Sequence, residues 1–460
     1  MTTPAELVER ALAASDTEGC IVLAQTTSTA NLRWARNTLT TNGETEQTAL
    51  TVIAVIGRGS DAAAGSVTRT GVSPDQLPEL LAQAKEAAVQ GGASPDAADL
   101  LTGPADATWA DPPELTSGAV LAELAHGLGQ LFAASVADGI EHFGFASHDV
   151  VTSYLGTSTG MRRRHVQPEG RLELTAKSHD RSRSAWSGAA TADFGDIDLT
   201  TADRDLRRAL DWQARRVEVP AGRHTAVLAP SAVADLMVEL YWSALGREAA
   251  EGRSVFSGTA GTTRLGERLG PTGIELASDP ALAGLAGAPF SMATASSSAA
   301  SVFDNGLPLR PTRWVDDGVL RALVTSRATA TELDLPLHPY VDNLRLEVAG
   351  GHGDLFDLAA RTGTGLLVTC LWYNRVVDPH TLLLTGLTRD GVYLVEGGEI
   401  IGTTGNFRFN DSPVAMLDRI TDAGVSGPTL AREMGDYFNR AAMPPLQVAD
   451  FNLSTVSKAS

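Results

Sequence analysis

The stretch Asp235–Phe256 reads DLMVELYWSALGREAAEGRSVF. Its apolar side chains recur three and four residues apart, and this spacing predicts a helix packed on a hydrophobic core. Ser231, directly after Pro230, is expected to cap the start of this helix with its hydroxyl. Asp235 and Glu239 are expected on the opposite, polar side. The stretch is therefore interpreted as a core helix, and it contains no histidine.

The sequence that follows this helix has the pattern of β-structure. From Ala288 to Arg408, short apolar runs alternate with Gly, Asp and Asn turns. The segment Met443–Leu453 is expected to be a closing strand. We therefore predict a C-terminal half that is nearly all β-structure, apart from one prominent helix.

The sequence before the helix mixes two periodicities. Cys20–Ala24, Asn31–Ala35 and Leu50–Ile56 are apolar or alternating runs that predict separate strands. Pro74–Val89 and Thr116–Val136 carry leucines at helical spacing and predict long helices. This half is expected to be an α/β-type unit, so the predicted fold class of the whole chain is α+β.

The chain length suggests more than one domain. It has 460 residues, which is more than one hydrophobic core usually organises. The segment Val219–Gly222 (VPAG) is the best candidate boundary. We predict an N-terminal α+β domain over residues 1–218 and a β-rich C-terminal domain over residues 219–460.

Composition excludes several classes of protein. There are 36 basic and 55 acidic residues, a net charge of −19, which opposes direct binding to nucleic acid. The basic run Arg162–Arg164 is expected to be a solvated strand end. The N-terminus lacks the pattern of a signal peptide, and no stretch is expected to span a bilayer. Cys20 and Cys370 are far apart and are expected to be buried thiols, so a cytoplasmic protein without membrane contact is predicted.

Metal and nucleophile motifs are weak in this sequence. No two of its nine histidines lie three or four residues apart on a predicted helix, and no Gly-x-Ser-x-Gly elbow follows a strand. His352 and His380 could approach Cys370 in space. A hidden metal site therefore stays open as an alternative.

A series of segments in the C-terminal half is specific in its order and spacing. The segments are Gly252–Gly258 (GRSVFSG), Val302–Pro308 (VFDNGLP), Trp314–Leu320 (WVDDGVL), Arg361–Leu371 (RTGTGLLVTCL), Gly391–Ile400 (GVYLVEGGEI) and Phe407–Pro413 (FRFNDSP). Together they resemble the TldD/PmbA family (peptidase U62, also described as modulator of DNA gyrase). A weaker match is Tyr154–Gly160 (YLGTSTG) in the N-terminal half. The net charge argues against direct DNA contact by such a protein.

The resemblance implies a particular place for the family's metal motif. TldD-type chains carry a His-Glu-x-x-x-His helix before the SVFSG-like segment and a late cysteine, whereas TldE/PmbA-type chains lack these ligands. Counting back without gaps puts the two histidine positions at Met237 and Trp242, and the glutamate position at Val238. A thioether, an indole and an isopropyl group cannot hold hydrolytic zinc. The resemblance therefore implies no metal in this chain and zinc in a TldD-type partner.

The resulting hypothesis is a TldE/PmbA-like, metal-free subunit of a peptidase complex that cleaves unfolded or modified peptides. It would pair with a TldD-type subunit as a heterodimer and hold an extended peptide by main-chain pairing. Candidate peptide contacts are Arg253, Ser254, Asn374 and Arg375. The alternative is a non-catalytic homodimer that binds peptides or acts as a scaffold. A third possibility is hydrolysis at an unrecognised site of its own.

Overall fold

The computed structural model describes residues 2–259 and 261–457. Its helices are α1 (Pro4–Ala14), α2 (Leu77–Gly91), α3 (Ala122–Ala137), α4 (Leu199–Trp212), α5 (Pro230–Trp242), α6 (Gly246–Ala250), α7 (Arg327–Leu333), α8 (Leu355–Arg361) and α9 (Pro413–Leu417).

The strands divide into an earlier and a later set along the chain. The earlier strands are β1 (Gly19–Ala35), β2 (Thr38–Ile56), β3 (Ala63–Thr70), β4 (Ile140–Thr157), β5 (Arg162–Ser178) and β6 (Ser184–Thr191). The later strands are β7 (Gly222–Leu228), β8 (Ile274–Ser278), β9 (Thr312–Asp316), β10 (Val319–Leu320), β11 (Leu344–Val348), β12 (Thr364–Asp378), β13 (Leu383–Glu396), β14 (Glu399–Thr403), β15 (Phe407–Asp411), β16 (Ile420–Ala423), β17 (Gly427–Thr429), β18 (Ala441–Met443), β19 (Leu446–Leu453) and β20 (Thr455–Val456).

The earlier strands form one antiparallel sheet in the order β3-β2-β1-β4-β5-β6. Side chains alternate between the two faces of a strand, and β1 shows both faces clearly. Its even-numbered apolar residues, such as Val22 and Leu32, pack against helices α1 to α4. Its odd-numbered Ile21 and Leu23 pack against Phe290 and Phe303 from the later part of the chain. The sheet therefore has apolar partners on both faces.

The runs Cys20–Ala24 and Asn31–Ala35 are not separate strands. Both belong to β1, because the polar residues between them pair without interruption with β2 and β4. The Thr-rich segment was read as a break, yet threonine is well suited to strands. The sequence pattern therefore underestimated the length of the first strand.

The later strands form two sheets, with helix α5 packed against both. One sheet has the order β10-β9-β8-β11-β18-β17, and the other has the order β16-β19-β7-β12-β13-β15-β20, with β14 beside β13. Leu236 and Leu240 of α5 share a single buried cluster with residues from the two sheets. The predicted α+β class, with a β-rich later half and one prominent helix, is confirmed. The boundary at residues 218 and 219 stays a prediction.

Two local expectations for the later half are wrong. Residues 288–408 are not nearly all β-structure, because α7 and α8 lie within them. Ser231 is not the N-cap of α5; that position is Ala229, and the Ser231 hydroxyl donates instead to the Thr369 carbonyl at 2.9 Å. Pro230 at the first helical turn makes a side-chain cap less necessary, because it has no N–H to satisfy. The hydroxyl thus ties α5 to β12.

The membrane expectation needs one correction. The helical segment Gly118–Ala137 is long and apolar enough, by length and composition alone, to cross a membrane. Leu124, Leu128 and Phe132 of this segment are buried in the cluster that it forms with the first sheet. Its apolar character is therefore used, at least on one face, in packing within the chain.

The basic run Arg162–Arg164 lies at the start of β5, where each arginine pairs with a carboxylate. The partner of Arg162 is Glu9 at 2.6 Å, that of Arg163 is Asp106 at 2.8 Å, and that of Arg164 is Glu114 at 3.7 Å. The side chains are half-buried rather than fully solvated, because the loop before α3 covers them. These charges are thus largely neutralised within the chain.

One arginine joins the first sheet to the later half of the chain. The guanidinium of Arg432 lies between the rings of Trp186 on β6 and Trp372 on β12, 4.8 and 4.9 Å from their centroids. It also donates to Glu173 on β5 at 2.6 Å. The side chains of Arg432 and Glu173 are only 15% and 9% exposed. A cation held between two rings and paired with a carboxylate is a strong local attachment.

Candidate functional site

Helix α5 carries two acidic residues one turn apart. Asp235 is fully buried, and its Oδ1 accepts hydrogen bonds from the main-chain N–H groups of Glu433 and Met434, both at 3.0 Å. Glu239 is half-buried on the same side. The helix side that carries Asp235, expected to be the polar one, is therefore covered by other parts of the chain. The segment that contains Glu433 folds over this side of the helix and supplies N–H donors to the carboxylate.

Burial shapes the titration of both carboxyls. Desolvation raises the pKa of Asp235 to about 8, and the nearby charge of Glu433 acts in the same direction. The pKa of Glu239 is also raised by burial, while the positive charge of Arg375 opposes the change. Within the described residues, Asp235 Oδ2 has no hydrogen-bond partner. At neutral pH the protonated form of Asp235 is thus favoured, which makes it a poor metal ligand.

We expect Asp235→Asn to flatten the pH dependence of stability. The folded-state pKa of Asp235 lies above that of an unfolded chain, about 3.9. Its stabilising contribution is therefore fully present below about pH 4 and is lost as the pH rises toward 8. Asparagine keeps the acceptor for the two N–H groups but does not titrate. Urea unfolding measures the free energy of unfolding of both proteins from about pH 5 to 9. Over this range the value for the variant should rise by about 2 kcal/mol or more relative to the value for the native chain.

Asp235→Ala is the matched control for this experiment. It removes the acceptor and should destabilise the protein at every pH, because two buried N–H groups lose their partner. If the asparagine variant follows the same pH curve as the native chain, Asp235 does not titrate as described.

Two of the predicted peptide contacts lie beside these acids. Arg375 pairs with Glu433 at 3.4 Å, and Glu433 also accepts from the main-chain N–H of Tyr373 at 3.1 Å. Asn374 is buried, and its side-chain amide has no hydrogen-bond partner among the described residues. Tyr373 has a φ of 58°, a left-handed conformation within a register shift of β12. The bulge turns Arg375 toward the acidic side of α5.

The other two predicted contacts lie after α6. The Arg253 side chain is 58% exposed and pairs with Glu251 at 2.5 Å. Ser254 is buried, and its hydroxyl accepts from the N–H of Phe256 at 3.2 Å, as expected for a turn former. The structure therefore puts these residues in a different neighbourhood from Asn374 and Arg375. Whether either pair contacts a peptide stays a prediction.

The positions inferred for the family's metal ligands lie largely in the core. Met237 and Val238 are fully buried in the cluster around α5. Trp242 is half-buried, and its indole N–H donates to the Tyr340 hydroxyl at 3.3 Å. These side chains do not fit zinc, since none is a histidine, cysteine or carboxylate. We therefore derive no catalytic step through a metal at this helix.

The alternative metal site at Cys370 is not assembled either. Cys370 is buried, with a thiol pKa raised mainly by desolvation, whereas His352 and His380 are both exposed. Over residues 2–259 and 261–457, no three His, Cys, Asp or Glu side chains are grouped closely enough to hold a metal ion.

A cleft opens between the first sheet and the later half of the chain. Its volume is about 490 Å³, and its lining includes Ala64 and Ser66 of β3 together with Asp96, Arg247 and the segment Ser296–Ser298. The Asp96 carboxylate already accepts hydrogen bonds from the hydroxyls of Ser296 at 2.5 Å and Ser301 at 2.6 Å. We call this feature the interdomain cleft. Its lining is rich in hydroxyls, which can both donate to and accept from a peptide main chain.

A second cavity continues the interdomain cleft along α7. It has a volume of about 640 Å³, shares Pro95 with the cleft and includes Arg327 and Leu337 in its lining. The two cavities therefore meet at Pro95. Arg253 does not line either cavity; its N–H donates to the Glu248 carbonyl, and the Glu248 carboxylate accepts from Ser298, a cleft residue.

A comparison with protein-family models identifies the family of this chain. A family model described as the PmbA/TldA metallopeptidase C-terminal domain matches residues 221–455. The chain belongs to the TldD/PmbA family, and the resemblance drawn from its sequence segments is confirmed.

Solved structures show the same fold over nearly the whole chain. TldE from Thermococcus kodakarensis has a TM-score of 0.76 at 14% identity, with 97% of this chain and 98% of that chain covered. A candidate modulator of DNA gyrase from Bacteroides thetaiotaomicron has a TM-score of 0.76 at 13% identity, covering 97% and 96%. Another, from Thermotoga maritima, has a TM-score of 0.73 at 14% identity, covering 97% and 99%. A search of curated protein sequences finds no match.

The spacing of four residues between Asp235 and Glu239 predicted their shared helix side. The sequence did not indicate that this side is covered by the segment containing Glu433, nor that Asp96 lines a cleft. Glu433 and the cleft residue Asp96 reach their positions through loops far away in sequence.

Proposed function

We propose that this chain is a TldE/PmbA-like, metal-free subunit of a peptidase complex that cleaves unfolded or modified peptides. Its partner would be a TldD-type subunit that supplies zinc and the chemistry of hydrolysis. The chain itself would complete the wall of the peptide channel and hold the substrate extended. We place this complex in the cytoplasm, without membrane or nucleic-acid contact.

The chemistry of α5 carries this proposal. The helix stands before the GRSVFSG segment, as the family's metal helix does, but Met237 and Val238 at the ligand positions are core side chains. Burial raises the pKa of Asp235 on the same helix to about 8, so this carboxyl is not a ready anionic ligand. A helix of this kind supports a packing role beside a catalytic partner.

Reconstitution tests the proposal. Purified alone, the chain should contain no stoichiometric zinc by elemental analysis and should not cleave an unfolded casein. Mixed with the TldD-type subunit from the same genome, it should co-elute and give cleavage that a chelator stops. The control is the TldD-type subunit with its motif glutamate changed to glutamine, which should co-elute without activity. A content of about one zinc per chain in the isolated protein would contradict the metal-free assignment.

The second candidate function is a non-catalytic homodimer that binds peptides or acts as a scaffold. The hydroxyl-rich interdomain cleft favours it, because this feature belongs to the chain itself and needs no catalytic partner. Light scattering on the mixed subunits separates the two candidates. A stable homodimer that ignores the TldD-type subunit supports the second.

A further inference from the structure

Strand β3 forms one edge of the first sheet and opens toward the interdomain cleft. Its inner side pairs with β2 from Ala63 to Thr70, and the sheet order places no strand on its outer side. The face of β3 that carries Gly65 is covered by α2, since a Cβ on Gly65 would lie 2.1 Å from the Ala88 nitrogen. The main-chain N–H and C=O groups along the outer edge of β3 remain available for pairing with another chain.

The hydrogen bonds show which main-chain groups of β3 point outward. The Ala64 N–H donates to the Ser94 hydroxyl at 3.0 Å, and the Ser94 N–H donates to the Ala62 carbonyl at 2.8 Å. On the inner side, the Gly71 N–H donates to the Thr48 carbonyl of β2 at 2.9 Å. Main-chain groups alternate along an antiparallel strand, so even-numbered residues of β3 face outward and odd-numbered ones face β2.

Three outward N–H groups follow the part that Ser94 covers. They belong to Ser66, Thr68 and Thr70, and none of them donates to another group of the described chain. Thr68 and Thr70 are exposed and Ser66 is half-buried at the mouth of the interdomain cleft. Exposed donors in a row at strand spacing are the template for pairing with an extended peptide.

A second open edge of the same sheet, on β2, is protected against pairing with another chain. Residues 38–47 of β2 are exposed and extend past the end of β3, and they carry Glu44 and Glu46. Charged side chains on an edge strand discourage pairing with another chain. This edge also lies away from the residues that line the interdomain cleft. The β3 edge differs in both respects, because Ser66 lines the cleft and the one charged residue from Ser66 to Thr70, Arg69, is neutralised by Glu79 of α2 at 2.8 Å.

We propose that the β3 edge, from Ser66 to Thr70, is the peptide-holding strand of this chain and feeds an extended polypeptide into the interdomain cleft. The inference rests on the proposed function and specifies its substrate contact. Main-chain pairing selects unfolded segments, and the net charge of −19 favours neutral or basic ones. The hydroxyls of the cleft would then bind the main chain of the next residues.

A proline substitution tests the edge selectively. Thr68→Pro removes an outward N–H while leaving the ladder with β2 intact, because the N–H of Thr68 does not take part in it. The probe is fluorescently labelled ribonuclease A that has been reduced and carboxamidomethylated, which is unfolded and basic. We expect Thr68→Pro to weaken its binding at least about tenfold, as the loss of one main-chain hydrogen bond and the bulk of the ring imply.

Two variants are matched controls. Thr68→Ala removes the same hydroxyl, which contacts Thr51 Oγ1 at 2.7 Å, but keeps the N–H, so it should bind the probe normally. Asn42→Pro removes an outward N–H from the other open edge, on β2, and should also bind normally. Native ribonuclease A should not bind any of the proteins, because its strands are already paired.

Hydrogen–deuterium exchange on the unaltered protein gives an independent test. Adding the unfolded probe should slow exchange in residues 63–71 and leave residues 38–48 unchanged. If Thr68→Pro binds as the native chain does and residues 63–71 are not protected, the edge assignment is overturned while the peptide-holding function stands. If the native chain does not bind the unfolded probe at all, the proposed function fails together with the edge.

Discussion

Replacing Arg432 by alanine should lower the free energy of unfolding by about 2–3 kcal/mol. The change removes one of the two guanidinium partners of the Glu173 carboxylate, which is 9% exposed and keeps Arg171 and the Trp186 indole N–H. It also empties the space between Trp186 and Trp372, which lie on different sheets. Because the same side chain makes all three contacts, the first sheet and the later half should separate more easily. Urea unfolding followed by tryptophan fluorescence measures the loss.

Arg389→Ala is the matched control for Arg432. Arg389 also lies over Trp372, at 5.1 Å, but its side chain is 51% exposed and its partner Asp390 is on its own strand. Its loss should cost less than about 1 kcal/mol. Arg432→Lys keeps the charge but not the planar stack, so an intermediate loss is expected. Equal stability of Arg432→Ala and Arg389→Ala would show that Arg432 does not join the two parts.

Val238→Glu should destabilise the protein by about 4 kcal/mol or more. Val238 is fully buried among apolar side chains, where a carboxyl group has neither water nor a cation. This is the substitution that would restore the family's glutamate at its ungapped position. Thermal and urea unfolding should both show the loss, and added zinc should not reverse it.

Two control variants on the same helix test whether the loss of stability comes from burying a carboxyl group. Glu239→Gln, one position along but half-buried, should change the stability by less than about 1 kcal/mol. Val238→Ile keeps the apolar character and should be tolerated with a small overpacking cost. With His also placed at Met237 and Trp242, the triple variant should be unstable and inactive. A folded triple variant with zinc-dependent peptidase activity would contradict this account of the helix.

Much of the architecture could be predicted from local patterns. Helix α5 follows from apolar residues at helical spacing, and helices α2 and α3 fall where the same spacing predicts them. The predicted strand boundaries were wrong where a polar segment was still extended. In β1, for example, the threonines were interpreted as a break between two strands. Short helices such as α7 and α8 were missed because one or two turns carry too little periodicity.

The candidate site was less predictable than the fold. Arg375 and Asn374 were selected from a turn, and the structure places them beside Glu433 and the acidic side of α5. No local pattern indicates Glu433, because it reaches this place through a loop after β17. Asp235 was assigned to the polar side of α5, and the burial of that side could not be predicted because the covering segment is about two hundred residues away in sequence.

The sequence by itself determined the α+β class, the family and the chemistry that α5 cannot perform, because periodicity and side-chain identity are local properties. Only the tertiary structure decided that Asp235 is buried, that Arg432 joins two sheets and that the outer edge of β3 faces a cleft. Each of these depends on which distant segments cover a surface. Coverage sets solvation, and solvation sets both the pKa of a carboxyl and the availability of a main-chain N–H.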